Sequence, residues 1–304
     1  MRSERVEEYL EAISKRQETE LPVSTSSLAA DLGVSLPAVT DMMQRLAAEG
    51  LVDYELNKGA SLTAEGSRAA LTTIRRHRLW ERFLTDILGL QWDKVHDEAC
   101  RLEHATSPET EERLAALLGD ADTCPHGHPI PDKNGTTKDQ KLRPLSDFDV
   151  GQTVRISAVA IEEGRLLRKI GKLGLKPKSI AKIERKDDDD GSLELSLDGH
   201  TVLMDKATAD CLLARVLTPG EEATDEEIPM IMLQTGESGV LKSYRGGKDM
   251  LGRCLSMGFT PGSPVRMIGN FGRGPVLVKV HDVEVALGRG MADKIMVTRK
   301  NPGC

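Results

Sequence analysis

The sequence predicts a multidomain α+β protein in which a helical N-terminal part precedes two small β-barrels in tandem. Residues 4 to about 120 show the helical spacing of apolar side chains, whereas the chain beyond residue 140 consists of short apolar runs separated by turn residues. In that second part, KLGLKPKS at 172–179 is echoed by SMGFTPGS at 256–263, and similar strands follow each. A motif that recurs with its flanks indicates a duplicated module.

Composition restricts the class of protein further. The 304 residues contain no apolar run near the length of a bilayer span, and MRSERVEEYLEA lacks the features of a secretory signal. The five cysteines do not form the paired framework of a secreted scaffold. We therefore expect a cytoplasmic protein with no membrane partner and with free thiols. The formal charge of -7 argues against indiscriminate nucleic-acid binding but leaves a local DNA-binding face open.

The first 64 residues follow the pattern of a winged helix-turn-helix. An apolar stripe predicts the first helix and comprises Val6, Tyr9, Leu10 and Ile13. In STSSLAADLG, Ser26 or Ser27 can cap a short second helix, which a tight turn at Gly33 ends. Ser35 can cap the third helix. LVDYELNKGASLT then offers two short strands, the wing, before a further helix starts at Thr63.

The third helix is the predicted recognition helix, because the first turns of such a helix meet base edges in the major groove. Val39, Met42, Met43 and Leu46 form its predicted buried stripe. The candidate DNA-contacting residues are Ser35, Pro37, Ala38, Thr40, Asp41, Gln44, Arg45 and Lys58. An alanine and a proline can contact thymine methyl groups, which leaves much of the specificity to DNA shape. Without this frame, Arg45 and Lys58 would be ordinary solubilising surface.

The stretch VHDEACRLEH, 95 to 104, is dense in side chains that bind metals. On a helix, four of them project from one side: His96, Cys100, Glu103 and His104. His77 and Glu81 are spaced by one turn on an earlier helix. Thiolate, imidazole and carboxylate together suit Fe(II), Mn(II), Co(II) or Zn(II) better than calcium or magnesium. The alternative is that His96 and Glu98 are surface residues and Cys100 is a buried packing residue, and spacing alone does not decide.

The stretch CPHGHPIPDKNGTTKDQ, 124 to 140, is a predicted loop and linker. Its Cys124, His126 and His128 could add a ligand set, but a Pro-rich turn that closes the helical part is the favoured interpretation. Farther on, the acidic run 187–190 is predicted to be the solvated tip of a β-hairpin.

Together these motifs resemble the diphtheria-toxin-repressor family of metal-dependent transcriptional regulators over residues 4 to about 131. The two C-terminal repeats resemble FeoA-like SH3 barrels, of which members often carry one. The resemblance implies a winged helix-turn-helix domain (1–64), a helical metal-binding and dimerisation domain with linker (65–140), and two FeoA-like SH3 domains (141–220 and 228–300).

The resemblance also implies two metal sites. The primary, activating site corresponds to Glu8, Cys100, Glu103 and His104. The ancillary site corresponds to His77, Glu81 and His96. In some members an SH3 side chain also binds this metal, and Glu163 is the nearest candidate here. It is a weak candidate, because the second SH3 ligand of those members is replaced near Leu166. Glu11 matches a further manganese-type ligand, or is a solvated helix residue. The acid at Glu8 is manganese-type and the thiol at Cys100 is iron-type, so the expected cofactor is Fe(II) or Mn(II).

The predicted function is therefore a homodimeric repressor that binds double-stranded operator DNA when a metal bridges the DNA-binding and dimerisation domains, and that limits metal uptake. A metalloenzyme is one rival, but the chain has no His-Glu-x-x-His motif and no nucleophile elbow. The other is an accessory protein of iron transport that acts through its FeoA-like domains. Such a protein has no use for a helix-turn-helix, so we expect a regulator and not an enzyme.

Overall fold

The computed structural model describes residues 3–119, 121–133, 135–137, 140–197, 199–217, 227–244 and 248–299 of the chain. The chain divides into two compact units. The first unit comprises Met1–Trp80, Asp97–Glu111 and Pro129–Asp139. The second unit comprises Glu81–His96, Glu112–His128 and Gln140–Cys304. The first unit is mainly helical, and the second holds nearly all of the β-structure.

The N-terminal part of the first unit is a winged helix-turn-helix, as predicted. Its elements are α1 (Glu4–Arg16), α2 (Thr25–Leu32), α3 (Leu36–Ala48), β1 (Val52–Glu55) and β2 (Gly59–Leu62). The apolar faces of the three helices share one core with the antiparallel β1–β2 wing. The predicted cap at Ser26 or Ser27 is wrong. Ser24 caps α2 instead, because its hydroxyl accepts the Ser27 backbone N–H at 3.1 Å.

Tyr9 lies in this core with 2% of its surface exposed, and its buried hydroxyl has no hydrogen-bond partner among the described residues. A buried hydroxyl that has lost its water costs free energy, and phenylalanine removes it without leaving a cavity. We expect Tyr9→Phe to raise the free energy of unfolding by about 1 kcal/mol, measured by urea denaturation. Tyr54→Phe, on the half-buried wing, is the control and should change stability little. A clear loss of stability in Tyr9→Phe would contradict this account.

Three more helices follow the wing: α4 (Ala64–Asp86), α5 (Val95–Glu103) and α6 (Pro108–Leu118). The helix predicted through VHDEACRLEH ends one residue early, so His104 lies in the turn after α5. Among the described residues, no helix is both long and apolar enough to cross a bilayer.

The predicted duplication is visible in the second unit as two domains with one topology. The first contains β3 (Arg143–Pro144), β4 (Thr153–Val159), α7 (Gly164–Lys172), β5 (Ile180–Lys186), β6 (Leu193–Leu197), β7 (His200–Met204), α8 (Lys206–Asp210) and β8 (Leu212–Val216). The second contains β9 (Glu227–Pro229), β10 (Ser238–Tyr244), α9 (Lys248–Ser256), β11 (Pro264–Gly269), β12 (Val276–Val280), β13 (Val283–Leu287), α10 (Arg289–Ala292) and β14 (Ile295–Arg299).

The strand orders of the two domains correspond position by position. The first sheet runs β3-β8-β4-β5-β6-β7 and the second runs β9-β14-β10-β11-β12-β13. Each domain has its own apolar core, and Trp92 packs against the core of the first. The acidic run 187–190 lies in the turn between β5 and β6, as predicted, with residues 188–190 exposed.

Candidate metal centre

A first cluster of possible ligands joins helix α1 to the end of α5 within the first unit. The apolar stripe of α1 faces the winged-helix core, so its acidic residues project from the opposite side. The ligand atoms of Glu4, Glu8 and His104 lie within 4.8 Å of one another. The Glu7 carboxylate binds Nδ1 of His104 at 2.7 Å. Two elements that are distant in sequence thus present carboxylates and an imidazole at one place.

Buried groups lie directly behind this cluster. Glu103 is 2% exposed, and its Oε2 is 2.6 Å from Nδ1 of His77 while its Oε1 is 3.2 Å from Nε2 of His104. The Sγ atom of Cys100 is 3.9 Å from the same Nδ1 of His77. The chain of contacts therefore runs from the thiol through His77 and Glu103 to His104.

The pKa values of these buried groups reflect their surroundings. Burial raises the pKa of Glu103, although its hydrogen bond with His77 opposes the shift. Burial alone would lower the pKa of His104, but the hydrogen bond to Glu7 and the charge of Glu103 raise it on balance. The negative charge around the His104 imidazole favours binding of a cation there, either a proton on the ring or a metal ion.

A second cluster lies within the second unit. Ligand atoms of Glu81, Cys124, His126 and Glu162 lie within 4.8 Å of one another. Nδ1 of His126 is 3.0 Å from Oε1 of Glu81 and 3.5 Å from Oε1 of Glu162. His96 borders the cluster, with its Nδ1 2.8 Å from Oε2 of Glu162. The side chains of Glu81 and His126 are fully buried, so the donors face one another and not the solvent.

The loop that follows α6 fixes the direction of the His126 ring. Nε2 of His126 donates to the Trp92 carbonyl at 2.7 Å, since a carbonyl can only accept. In the neutral ring, Nδ1 is then the unprotonated nitrogen and the possible ligand. Gly127 has φ 95°, and a Cβ there would lie 1.9 Å from the Ser157 carbonyl oxygen. Only glycine fits this turn, which places Cys124 and His126 beside the two carboxylates.

The charges of the second cluster are strongly coupled. Burial alone would lower the pKa of His126, but the hydrogen bond and charge of Glu81 raise it on balance. Burial and the Glu81 charge would raise the pKa of Glu162, but His96, His126 and His128 lower it to about 2. Two carboxylates around protonatable rings form a site in which a divalent ion can replace a proton.

On α3, the buried apolar stripe is separate from the candidate DNA-contacting residues. The stripe predicted to be buried is buried, namely Val39, Met42, Met43 and Leu46. The candidate contact residues that are exposed are Ser35, Pro37, Asp41, Gln44, Arg45 and Lys58, and those half-buried are Ala38 and Thr40. Arg45 pairs with Glu49, and Lys58 pairs with Glu55. These exposed pairs are weak enough to be exchanged for phosphate contacts.

Comparison with known proteins decides the family. Residues 1–60 match the iron dependent repressor N-terminal DNA binding domain, and 63–132 match the iron dependent repressor metal binding and dimerisation domain. Residues 143–216 and 228–299 each match the FeoA domain. The diphtheria toxin repressor of Corynebacterium jeikeium is 31% identical over 230 residues, which covers 66% of this chain and 96% of that protein. The chain belongs to the diphtheria toxin repressor family.

This chain is also similar to other members of the repressor family. The iron-dependent repressor IdeR of Mycobacterium tuberculosis is 38% identical over 125 residues, 41% of this chain and 54% of that protein. A solved manganese-dependent transcriptional repressor in complex with manganese has a TM-score of 0.66 and 34% identity, covering 70% of this chain and all of that one. The structure of ScaR with bound Zn2+ has a TM-score of 0.61 and 29% identity, covering 70% and 99%.

Family membership confirms the predicted resemblance, the predicted fold and the predicted class, a metal-dependent transcriptional repressor. It supports that class over an accessory protein of iron transport. Both FeoA matches agree with the two duplicated domains.

At the predicted primary metal site, the structure brings some of the predicted ligands together and places further acidic residues beside them. Glu8 and His104 come together, and Glu103 contacts His104, whereas Cys100 lies beside His77. Glu4 and Glu7 are not among the predicted ligands, although both lie within one turn of Glu8 on an amphipathic helix. The weak candidate Glu11 pairs with Lys15 at 2.8 Å.

For the ancillary site, the structure places two groups of side chains differently from the predicted set. Glu163 is exposed and precedes α7 as its N-terminal flanking residue, whereas its neighbour Glu162 belongs to the second cluster. The loop interpreted as a closing turn carries two cluster residues, Cys124 and His126, while Nε2 of His128 donates to the Val159 carbonyl at 2.9 Å. Glu81 and His96 lie together in the second unit, and His77 belongs to the first, so their joint role with His77 stays a prediction.

Proposed function

We propose that this chain is a cytoplasmic, homodimeric repressor that binds double-stranded operator DNA when loaded with Fe(II) or Mn(II), and so limits metal uptake. One observation carries the proposal. Glu8 lies on α1, whose other face shares a core with the predicted recognition helix α3. His104 follows the last residue of α5, in the part of the chain that matches the repressor dimerisation domain. An ion bound by both residues would link the winged helix-turn-helix to the dimerisation domain.

The donor sets fit divalent transition metals. The first cluster offers Glu4, Glu8 and His104, with Glu103 adjacent, a set rich in carboxylates that suits Mn(II) and Fe(II). The second cluster offers two carboxylates, an imidazole and the Cys124 thiol, a softer set. A bound ion would supply positive charge that neutralises the carboxylates and fixes the positions of the elements that carry them. In this proposal the ions hold helices in place, and the chain is not an enzyme.

The proposed domains keep their predicted limits at 1–64, 65–140, 141–220 and 228–300. In a dimer of the helical domain, the spacing of the two recognition helices must match two half-sites in successive major grooves. A switch from about 1% to about 99% of the competent arrangement needs roughly 5.5 kcal/mol of differential metal affinity. Several ligand bonds from separate elements can provide it.

Selection of bound duplex fragments, with Fe(II), Mn(II), Zn(II) or no metal, tests the proposal. We expect one operator sequence to be enriched with Fe(II) or Mn(II), and its affinity to fall by on the order of 100-fold or more when the ion is chelated. Sedimentation should show one dimer or an even number of chains on each operator. Equal affinity of the metal-free and metal-loaded proteins for the selected operator would contradict the proposal. Enzymatic turnover of a substrate as the main activity of the protein would also contradict it.

A further inference from the structure

The hairpin between β11 and β12 differs in character from its counterpart in the first barrel. In the first barrel, the turn between β5 and β6 carries four aspartates, Asp187–Asp190. In the second, the same position has the sequence GNFGRGP, 269–275. Phe271 at its tip is 83% exposed, and Arg273 is exposed beside it. The two duplicated domains therefore differ at this tip, which is acidic in the first and aromatic and cationic in the second.

The hairpin is held in place by Asn270. Its side-chain amide donates to the carbonyls of Ile231 and Leu233 at 2.7 and 3.0 Å, and its Oδ1 accepts from Arg289 at 3.0 Å. The Phe271 ring lies over the backbone of Gly269, where a Cβ would be 2.8 Å from Cε2 of the ring. The Phe271 ring therefore lies against the hairpin backbone at Gly269 and is otherwise largely exposed to solvent.

The charge of the second barrel favours a polyanion as the partner. Residues 227–299 contain ten Lys and Arg against six Asp and Glu, a formal charge of +4 in a chain whose total is -7. Among the described residues, Arg273 has no ion-pair partner. Arginine contacts phosphates or enters a narrow minor groove, and an exposed aromatic ring packs on sugars or between base steps. These two residue types on one supported hairpin tip fit nucleic acid better than a protein surface.

We propose that the β11–β12 hairpin is a second DNA-binding element, which contacts duplex DNA beside the operator through Phe271 and Arg273. This inference rests on the proposed function, because it takes the winged helix to be the operator reader. Once the winged helix is bound to the operator, the second barrel of the same chain is tethered near the duplex. Even a weak contact from the hairpin then adds to the affinity of the protein for DNA. The contact is independent of sequence, so it extends the footprint without changing the operator.

The test compares the full-length, metal-loaded protein with Phe271→Ala/Arg273→Gln on two duplexes that share the operator, one minimal and one extended by about 20 base pairs on each side. Wild type should bind the extended duplex about tenfold more tightly than the minimal one, because a tethered phosphate contact adds to the affinity. The variant should lose that advantage and bind the minimal duplex as wild type does. On the extended duplex, its slope of log affinity against log salt should be shallower by about one for each phosphate that the variant dimer no longer neutralises.

The matched control is Leu203→Ala/Arg185→Gln, which removes an exposed apolar and an exposed cationic residue from the first barrel and should keep the advantage. Circular dichroism checks that both variants fold. Equal wild-type affinity for the two duplexes, or an advantage retained by the Phe271 variant, overturns the inference while the proposed function stands. If no operator binds, the proposed function fails, and a non-operator duplex at low salt still tests the hairpin. Equal affinity of wild type and variant for that duplex overturns the inference.

Discussion

His104→Ala is expected to abolish metal-activated operator binding, with a loss on the order of 100-fold or more at saturating metal. His104 is the residue on which the first cluster converges. Its ring contacts Glu7 through Nδ1 and Glu103 through Nε2, and it shares a possible ion with Glu4 and Glu8. Alanine would remove the imidazole that contacts carboxylates from both elements, and the Glu103 carboxylate would then be the only remaining donor of this cluster at the end of α5, so the link between α1 and α5 would be lost. The measurement is fluorescence anisotropy of labelled operator during Mn(II) and anaerobic Fe(II) titrations.

Two further variants separate the roles of the clusters. His126→Ala removes an imidazole from the second cluster, which contains no α1 residue, and should cost about tenfold. His200→Ala removes an exposed histidine from β7 and should titrate like wild type. A His104→Ala protein that titrates like wild type would remove the first cluster from the mechanism. A larger loss in His126→Ala than in His104→Ala would make the second cluster the activating site.

The winged helix-turn-helix and the two barrels could be predicted because their signals are local. Pro37 and the apolar stripe of α3 lie within one helix, and Ser35 occupies the N-cap position before it, although its side chain makes no capping hydrogen bond. The duplicated barrels repeat one pattern of strands. The cap of α2 was missed because four hydroxyl residues follow one another. The choice of Ser24 depends on Glu20, whose carboxylate accepts from the Ser24 N–H and the Ser27 hydroxyl at 2.8 and 2.7 Å.

The ligand clusters depend on contacts between segments that are distant in sequence. The periodicity of apolar residues in the sequence does not predict such contacts. Glu7 and His104 are 97 residues apart, so the stripe of α1 indicates which face is polar but not what it meets. Glu162 and Glu163 are adjacent in sequence, and their side chains leave the chain in different directions just before α7 begins. The loop at 124–128 had the right residue types, but the approach of Gly127 to the Ser157 carbonyl decides where they point.

The stability of the metal-free second cluster is expected to depend on pH through His126 and Glu162. In the metal-free protein, the pKa of His126 is raised, because the hydrogen bond and charge of Glu81 outweigh the effect of burial. Its contribution to stability is therefore full below about pH 6.5 and is lost as pH rises through the folded-state pKa. The pKa of Glu162 is lowered to about 2, so its contribution is present above about pH 4.5 and is lost as pH falls toward 2. The metal-free cluster should stabilise the fold most between these limits.

A metal ion at the second cluster must displace the proton from Nδ1 of His126 and the proton of the Cys124 thiol, so its affinity should rise with pH. We expect up to about tenfold per pH unit for each proton released, measured by competition titration with Zn(II) at pH 6, 7 and 8. His126→Gln should bind the ion more weakly and with a shallower slope. His128→Gln, whose ring bonds to the Val159 carbonyl, should keep the wild-type slope. If the His128 variant loses the slope and the His126 variant keeps it, the ligand is His128, and the orientation of the His126 ring toward Trp92 has no bearing on metal binding.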